Sequence, residues 1–211
     1  MWPMTRINNQ RGFTLVELLI ASTLLVPFVM AVFLIVEPMQ RAYSQGEQRA
    51  DLQQSARIAM ARMARDLRAA GLDPGAAISS LPAPAAIQTA EVSRIAFIAD
   101  PDDDGKSMKI EYRLDLTAEP PVLRRQQWSW STSNNSWTGA SGAQPLAERI
   151  TGLEFTYYGA DGTAIPSSEL PAKLGEIQRI GLVITAGSPA GRTSPEAYRL
   201  TGEVRMRNVG L

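Results

Sequence analysis

Neither cysteine nor histidine occurs among the 211 residues of this chain. Without cysteine there are no disulfides, thiolate metal sites or cysteine nucleophiles, and the redox compartment stays undetermined. Without histidine the commonest general base and the usual transition-metal ligand are missing. No nucleophile–base pair stands out in the remaining residues, so the sequence reads as that of a protein that is not an enzyme. Charge of one sign is not in excess either. The 21 Lys+Arg balance 21 Asp+Glu, which predicts neither nucleic-acid nor acidic-substrate binding. The length suits one globular domain with an appendage.

What is present is an apolar run. From Phe13 to Val36 only Glu17 is charged, and these roughly 24 residues are enough for one membrane-spanning helix at ~1.5 Å per residue. Arg6 and Arg11 precede the run and no Lys or Arg follows until Arg41. The positive-inside rule therefore expects the N-terminal tail in the cytoplasm and the remainder outside it. A secretory signal peptide would have a shorter apolar core followed by an A-x-A site, which is not seen here. A plain single-pass anchor accounts for length and orientation but leaves Glu17 unexplained. A carboxylate at mid-membrane costs roughly 3 kcal/mol, and less near the cytoplasmic end where Glu17 lies. Pro27 predicts a kink or loosened turn within the run, or is simply tolerated there, and Pro38 marks a second expected bend at its end.

The local order R-G-F-T-L-V-E-L-L-I-A, from Arg11 to Ala21, resembles the processing and methylation signature of type IV prepilins and of pseudopilins. The resemblance implies cleavage between Gly12 and Phe13 by a prepilin peptidase that also N-methylates Phe13. It further implies retention of the apolar helix and assembly with other pilin or pseudopilin subunits on an inner-membrane platform. Gly12 suits close approach of a protease to the backbone. Glu17 could pair with the Phe13 ammonium of a neighbouring subunit. A buried charge without a partner is strongly penalised, so such a pair would select one axial register.

After Pro38 the pattern turns amphipathic. Leu52, Ala56, Ala59, Met60, Met63, Leu67 and Ala70 recur at helical spacing, while Arg57, Arg62, Arg65, Arg68 and Asp66 fall mainly on other faces. Gly71 and Asp73-Pro74 read as the stop. An unbroken helix from Phe13 to Ala70 would approach ~85 Å, a projecting stem whose second half packs its Met/Leu/Ala stripe on a sheet. The arginines are diluted by Glu47, Asp51 and Asp66 and have no interleaved aromatics, so they read as a solvated or subunit-facing surface, not a nucleic-acid stripe.

Residues 73–90 read as a Pro/Ala/Gly/Ser-rich loop. Beyond it the period becomes two, with strands expected at Arg94–Ala99, Lys109–Leu116, Val122–Trp130, Ile150–Tyr158, Gln178–Thr185 and Ala197–Arg207. Asn134-Asn135 and Asp161-Gly162 mark turns between them. A long helix followed by antiparallel strands is an α+β domain. The expected organisation is a leader at 1–12, a transmembrane or filament-core helix at 13–36, its amphipathic continuation at 37–71 and a β-rich globular domain at 72–211.

Three blocks in this region are similar to PilW-type minor pilins: I-A-F-I-A-D-P-D-D-D-G with I-E-Y-R-L, then P-L-A-E-R-I-T-G-L-E-F-T-Y-Y, and V-R-M-R-N. The type II secretion pseudopilin J shares the general plan. The resemblance implies a minor pilin of a type IV pilus, with the J-like pseudopilin as the alternative. The chain would sit in the bacterial inner membrane with its C-terminal domain in the periplasm before entering a filament.

Two constellations lie outside that plan. Asp100, Asp102, Asp104, Gly105 and Glu111 fit the spacing of a calcium-binding loop, D-x-D-x-D-G-x5-E. The flanks read as strands, however, and an acidic hairpin turn is the competing reading. Trp128, Trp130 and Trp137 flank S-T-S-N-N-S. They could stack on a sugar or a partner subunit, or form cross-strand pairs that close a hairpin over the core. Together these two features would suit a stem-borne, calcium-dependent adhesin or sugar-binding module.

Overall fold

A computed structural model describes residues 12–82, 84–187 and 197–209. Of the leader expected at 1–12, only Gly12 is among them. The chain divides into two compact units, Met1–Glu47 and Gln48–Leu211. Helix α1, Leu15–Arg68, contributes to both and runs unbroken through Pro27 and Pro38. Its start and end fall close to those expected.

In the first unit, taken by itself, no described residue packs over the apolar part of the helix. Its membrane-length apolar window is wholly unburied, with Leu15 78%, Phe28 67% and Leu34 75% exposed. Burying one such side chain is worth ~1.5–3 kcal/mol, so this stretch requires an apolar surrounding that the chain itself does not supply. Beyond it Glu37 and Arg41 pair at i,i+4 on the solvated surface.

The second unit is α+β, as the change of period predicts. Its described residues include nine strands: β1 (Ile87–Ala90), β2 (Arg94–Ala99), β3 (Met108–Asp115), β4 (Val122–Ser131), β5 (Ser136–Thr138), β6 (Gln144–Glu148), β7 (Ile150–Tyr158), β8 (Arg179–Ala186) and β9 (Tyr198–Arg205). They form two antiparallel sheets. One runs β1-β2-β3-β4, with β5 and β6 both pairing β4, and the other is β7-β8-β9. The six strands expected from the sequence are all present, within one or two residues at each end. The other three lay hidden. β1 falls inside the segment expected to be loop. β5 is only three residues long, and β6 contains Pro145, which is tolerated because the strand lies at the sheet's edge.

The two sheets are stitched together by Phe155 N–H donating to Val92 O at 2.7 Å and Ile150 N–H to Pro121 O at 3.2 Å. The helix stripe Leu52, Ala56, Ala59, Met60, Met63 and Leu67 forms one core with Phe97, Ile110, Tyr112, Leu123, Leu153, Ile180 and Leu182. A Cβ at Gly202 would lie 3.0 Å from Met60 Sδ, so the bare backbone of β9 is what lets that methionine seat. The stop at Gly71 is used as expected, with φ +88. Its N–H donates to Ile98 O at 2.9 Å, which turns the chain out of the helix and onto β2.

Candidate functional site

The motif residues stand at the helix start. Gly12 and Phe13 are exposed, and the space around Gly12 is open, with no atom within 4 Å of where a Cβ would be. Thr14 is the helix cap. Its hydroxyl accepts from Glu17 N–H at 3.2 Å, while Glu17 Oε2 accepts from both Thr14 N–H and the Thr14 hydroxyl at 3.0 Å. This reciprocal pair is a capping box, which satisfies donors that the first helical turn leaves over. Glu17 therefore has a second role beside the one the resemblance implies. The T-x-x-E spacing of Thr14 and Glu17 carries that signal in plain sequence.

A second polar centre departs from expectation. Asp66, placed by helical spacing mainly on another face, is fully buried. It lies between Met63 and Leu67 on the core side of α1. Its Oδ2 accepts from the Tyr112 hydroxyl at 2.7 Å, Arg125 Nε at 2.9 Å and Arg62 Nε at 3.3 Å. Oδ1 lies 3.2 Å from Arg62 Nε but, among the described residues, accepts no hydrogen bond of good geometry, and Arg125 Nη2 is likewise without a partner there. Burial, then the Asp66 carboxylate, pushes the Tyr112 phenol far above its usual range. Burial works against the Arg125 charge, yet Tyr112 and Asp66 together hold its pKa above the ordinary arginine value. The cluster ties α1 to β3 and β4.

The four calcium-spaced acids are not brought together. Asp100 is buried and accepts from the backbone N–H of Asp104 at 3.2 Å and of Gly105 at 2.9 Å. Asp104 turns to Lys106, whose Nζ lies 3.2 Å away. Asp102 is exposed. Glu111 sits in the β3 ladder opposite Ala96 and Gln126, and accepts from Arg94 Nη2 at 2.8 Å. Among the described residues no group of three or more acidic side chains is arranged to hold a metal ion. Asp100 and Asp104 instead bond within the turn between β2 and β3, where Asp103 at φ 53 and Gly105 at φ 79 supply the left-handed positions.

The tryptophans do form a cross-strand arrangement, Trp130 against Trp137 with ring centroids 4.9 Å apart. They do not close over the core. Trp128 and Trp130 alternate along β4 with Gln127 and Ser129, and Gln127 pairs the core residue Ile110, so the indoles point to the opposite face.

The prokaryotic N-terminal methylation motif matches residues 7–26, the span that holds Gly12, Phe13, Thr14 and Glu17. No curated protein matches the chain. The motif and the unburied apolar helix behind it fit a membrane-anchored pilin. The motif implies processing by prepilin peptidase and assembly with other pilin subunits, and it points to a structural protein family rather than an enzyme. It supports the type IV pilin and pseudopilin superfamily for this chain.

Proposed function

We propose that this chain is a structural minor pilin of a type IV pilus. In this reading prepilin peptidase cuts between Gly12 and Phe13 and methylates the new Phe13 amine. The helix over 13–36 holds the subunit in the bacterial inner membrane as a single span, with the C-terminal domain in the periplasm. Assembly moves that helix from lipid into a filament core. The observation that carries the reading is the methylation motif heading an apolar helix with no cover of its own. The minor-pilin assignment draws on the PilW-like blocks, and a J-like pseudopilin of a type II secretion system is the second reading on the same plan.

Glu17 acts twice in this scheme. In the lone chain its Oε2 caps the helix through Thr14. In a filament its charge faces the Phe13 ammonium of the neighbouring subunit, and a mismatched register would leave both charges buried and unpaired.

Mass spectrometry of the subunit from native membranes tests the processing step. A mature chain starting at Phe13 and heavier by one methyl group is the expected result. An intact Met1–Gly12 leader would overturn it. The two roles of Glu17 separate in assembly assays: Thr14→Ala removes the cap and leaves filament incorporation near normal, whereas Glu17→Gln keeps an acceptor and loses incorporation. Equal incorporation of Glu17→Gln and wild type would sink the register role.

A further inference from the structure

The face of the β1–β6 sheet that points away from α1 carries the tryptophans, and they are not alone there. Lys109 is the direct cross-strand partner of Trp128. Its Nζ lies 4.3 Å from the Trp128 ring centroid and 5.6 Å from that of Trp137. The three indoles and the lysine are all partly exposed. Gln126, two residues before Trp128 on the same face, makes no side-chain hydrogen bond among the described residues.

The other cations of this face each have a carboxylate within ion-pair distance, Arg113 lying 4.0 Å from the Glu111 that it shares with Arg94. Arg94 holds Glu111 at 2.8 Å, and Arg124 holds Asp115 at 2.7 Å. Among the described residues Lys109 is within ion-pair distance of no carboxylate; its ammonium lies over the Trp128 ring, with the Glu111 charge beyond pairing distance. Partial burial lowers its pKa, so the charge is held at a cost that an incoming anion would relieve. Surface cation–π contacts are weak, and the ammonium can swing from the ring onto a carboxylate, leaving the indole face free to stack.

We propose that Trp128, Trp130 and Trp137, with Lys109 and Gln126, bind a sugar ring that carries one carboxylate, a hexuronate unit of an acidic glycan. The apolar face of the ring stacks on indole, the carboxylate takes the Lys109 ammonium in a charge-assisted hydrogen bond, and the Gln126 amide meets a ring hydroxyl. A nucleic acid fits less well. Its backbone needs several cations in a row beside the stacking rings, whereas among the described residues Lys109 is the one cation set against the indoles, and Asp102 and Asp103 are exposed in the turn that leads into β3. The proposal does not rest on the filament reading.

The test uses the full-length chain in detergent, titrated with an oligogalacturonide, with the same oligomer methyl-esterified, and with an oligothymidylate, followed by tryptophan fluorescence and calorimetry. Binding of the acid form about tenfold tighter than the ester is expected, the ratio that one charge-assisted contact supplies. Lys109→Met should erase that preference and Lys109→Arg keep it, while Trp128→Leu should weaken both forms together, with unfolding temperature checking that each variant is folded. Equal affinity for acid and ester, no binding of either at millimolar concentration, or tighter binding of the oligothymidylate would each overturn the proposal.

Discussion

Replacing Asp66 with alanine removes the acceptor for three donors at once, namely the Tyr112 hydroxyl, Arg125 Nε and Arg62 Nε. The guanidinium of Arg125 already has one buried nitrogen without a partner, and its side chain is only 15% exposed. Breaking a buried pair by deleting one member costs about 3–5 kcal/mol, because the other charge stays buried and uncompensated. Asp66→Asn keeps the shape and one acceptor but loses the charge, and should cost about 1.5–3 kcal/mol. Since small domains hold ~5–15 kcal/mol in all, either change should move the unfolding midpoint visibly. Urea unfolding followed by tryptophan emission is the assay, because Trp128, Trp130 and Trp137 all lie in the Gln48–Leu211 unit. Arg65→Ala is the control. Its Nε is 3.9 Å from Asp66 on a side chain 56% exposed, a pair worth about 0–1 kcal/mol. The Asp66→Ala, Arg125→Ala double variant should lose less than the sum of the singles, with a coupling of ~0.5–3 kcal/mol. A loss below about 1 kcal/mol for Asp66→Ala, or strict additivity in the cycle, would refute the account of the cluster as one unit.

Gly71→Ala should destabilise the same unit by more than ~1 kcal/mol, since φ is +88 and the new Cβ would stand 2.5 Å from Asn208 O; melting temperature checks it, and an unchanged value would mean the helix stop is looser than described. Acid sensitivity should show at Asp115, whose pKa is lowered to about 2 by the Thr117 hydroxyl and then Arg124. A carboxylate with a depressed folded pKa adds stability above its ordinary value of 3.8, and that stability is lost as pH falls toward about 2. Asp115→Asn should therefore lower the melting temperature at neutral pH, match the wild type once pH has fallen to about 2, and flatten the pH dependence between 3.8 and that point.

Much of this protein is local, and what is local was readable. The apolar run after Gly12, the three- and four-residue spacing from Leu52 to Ala70 and the alternation in β2, β3, β4, β7, β8 and β9 are each set by contacts between a residue and its near neighbours along the chain. The methylation motif is contiguous, so it needs no fold to be recognised. Even the capping box of Thr14 and Glu17 is a four-residue pattern. Other features depend on partners far away in sequence. The three short strands exist because β2 and β4 offer edges to pair with, and four residues such as Ile87–Ala90 carry too little alternation to announce it. Glu111 was spaced for calcium, but strand register set it beside Arg94, 17 residues earlier in the chain. Asp66 is expected with the arginines on the other faces of its helix, and only Tyr112 and Arg125, 46 and 59 residues away, make it a residue that can be buried. The sequence by itself determined where the helix and the six longer, alternating strands begin and which end of the chain carries the methylation motif. Tertiary structure decided which charges go inside, because desolvation is offset only when partners from distant elements arrive at one point.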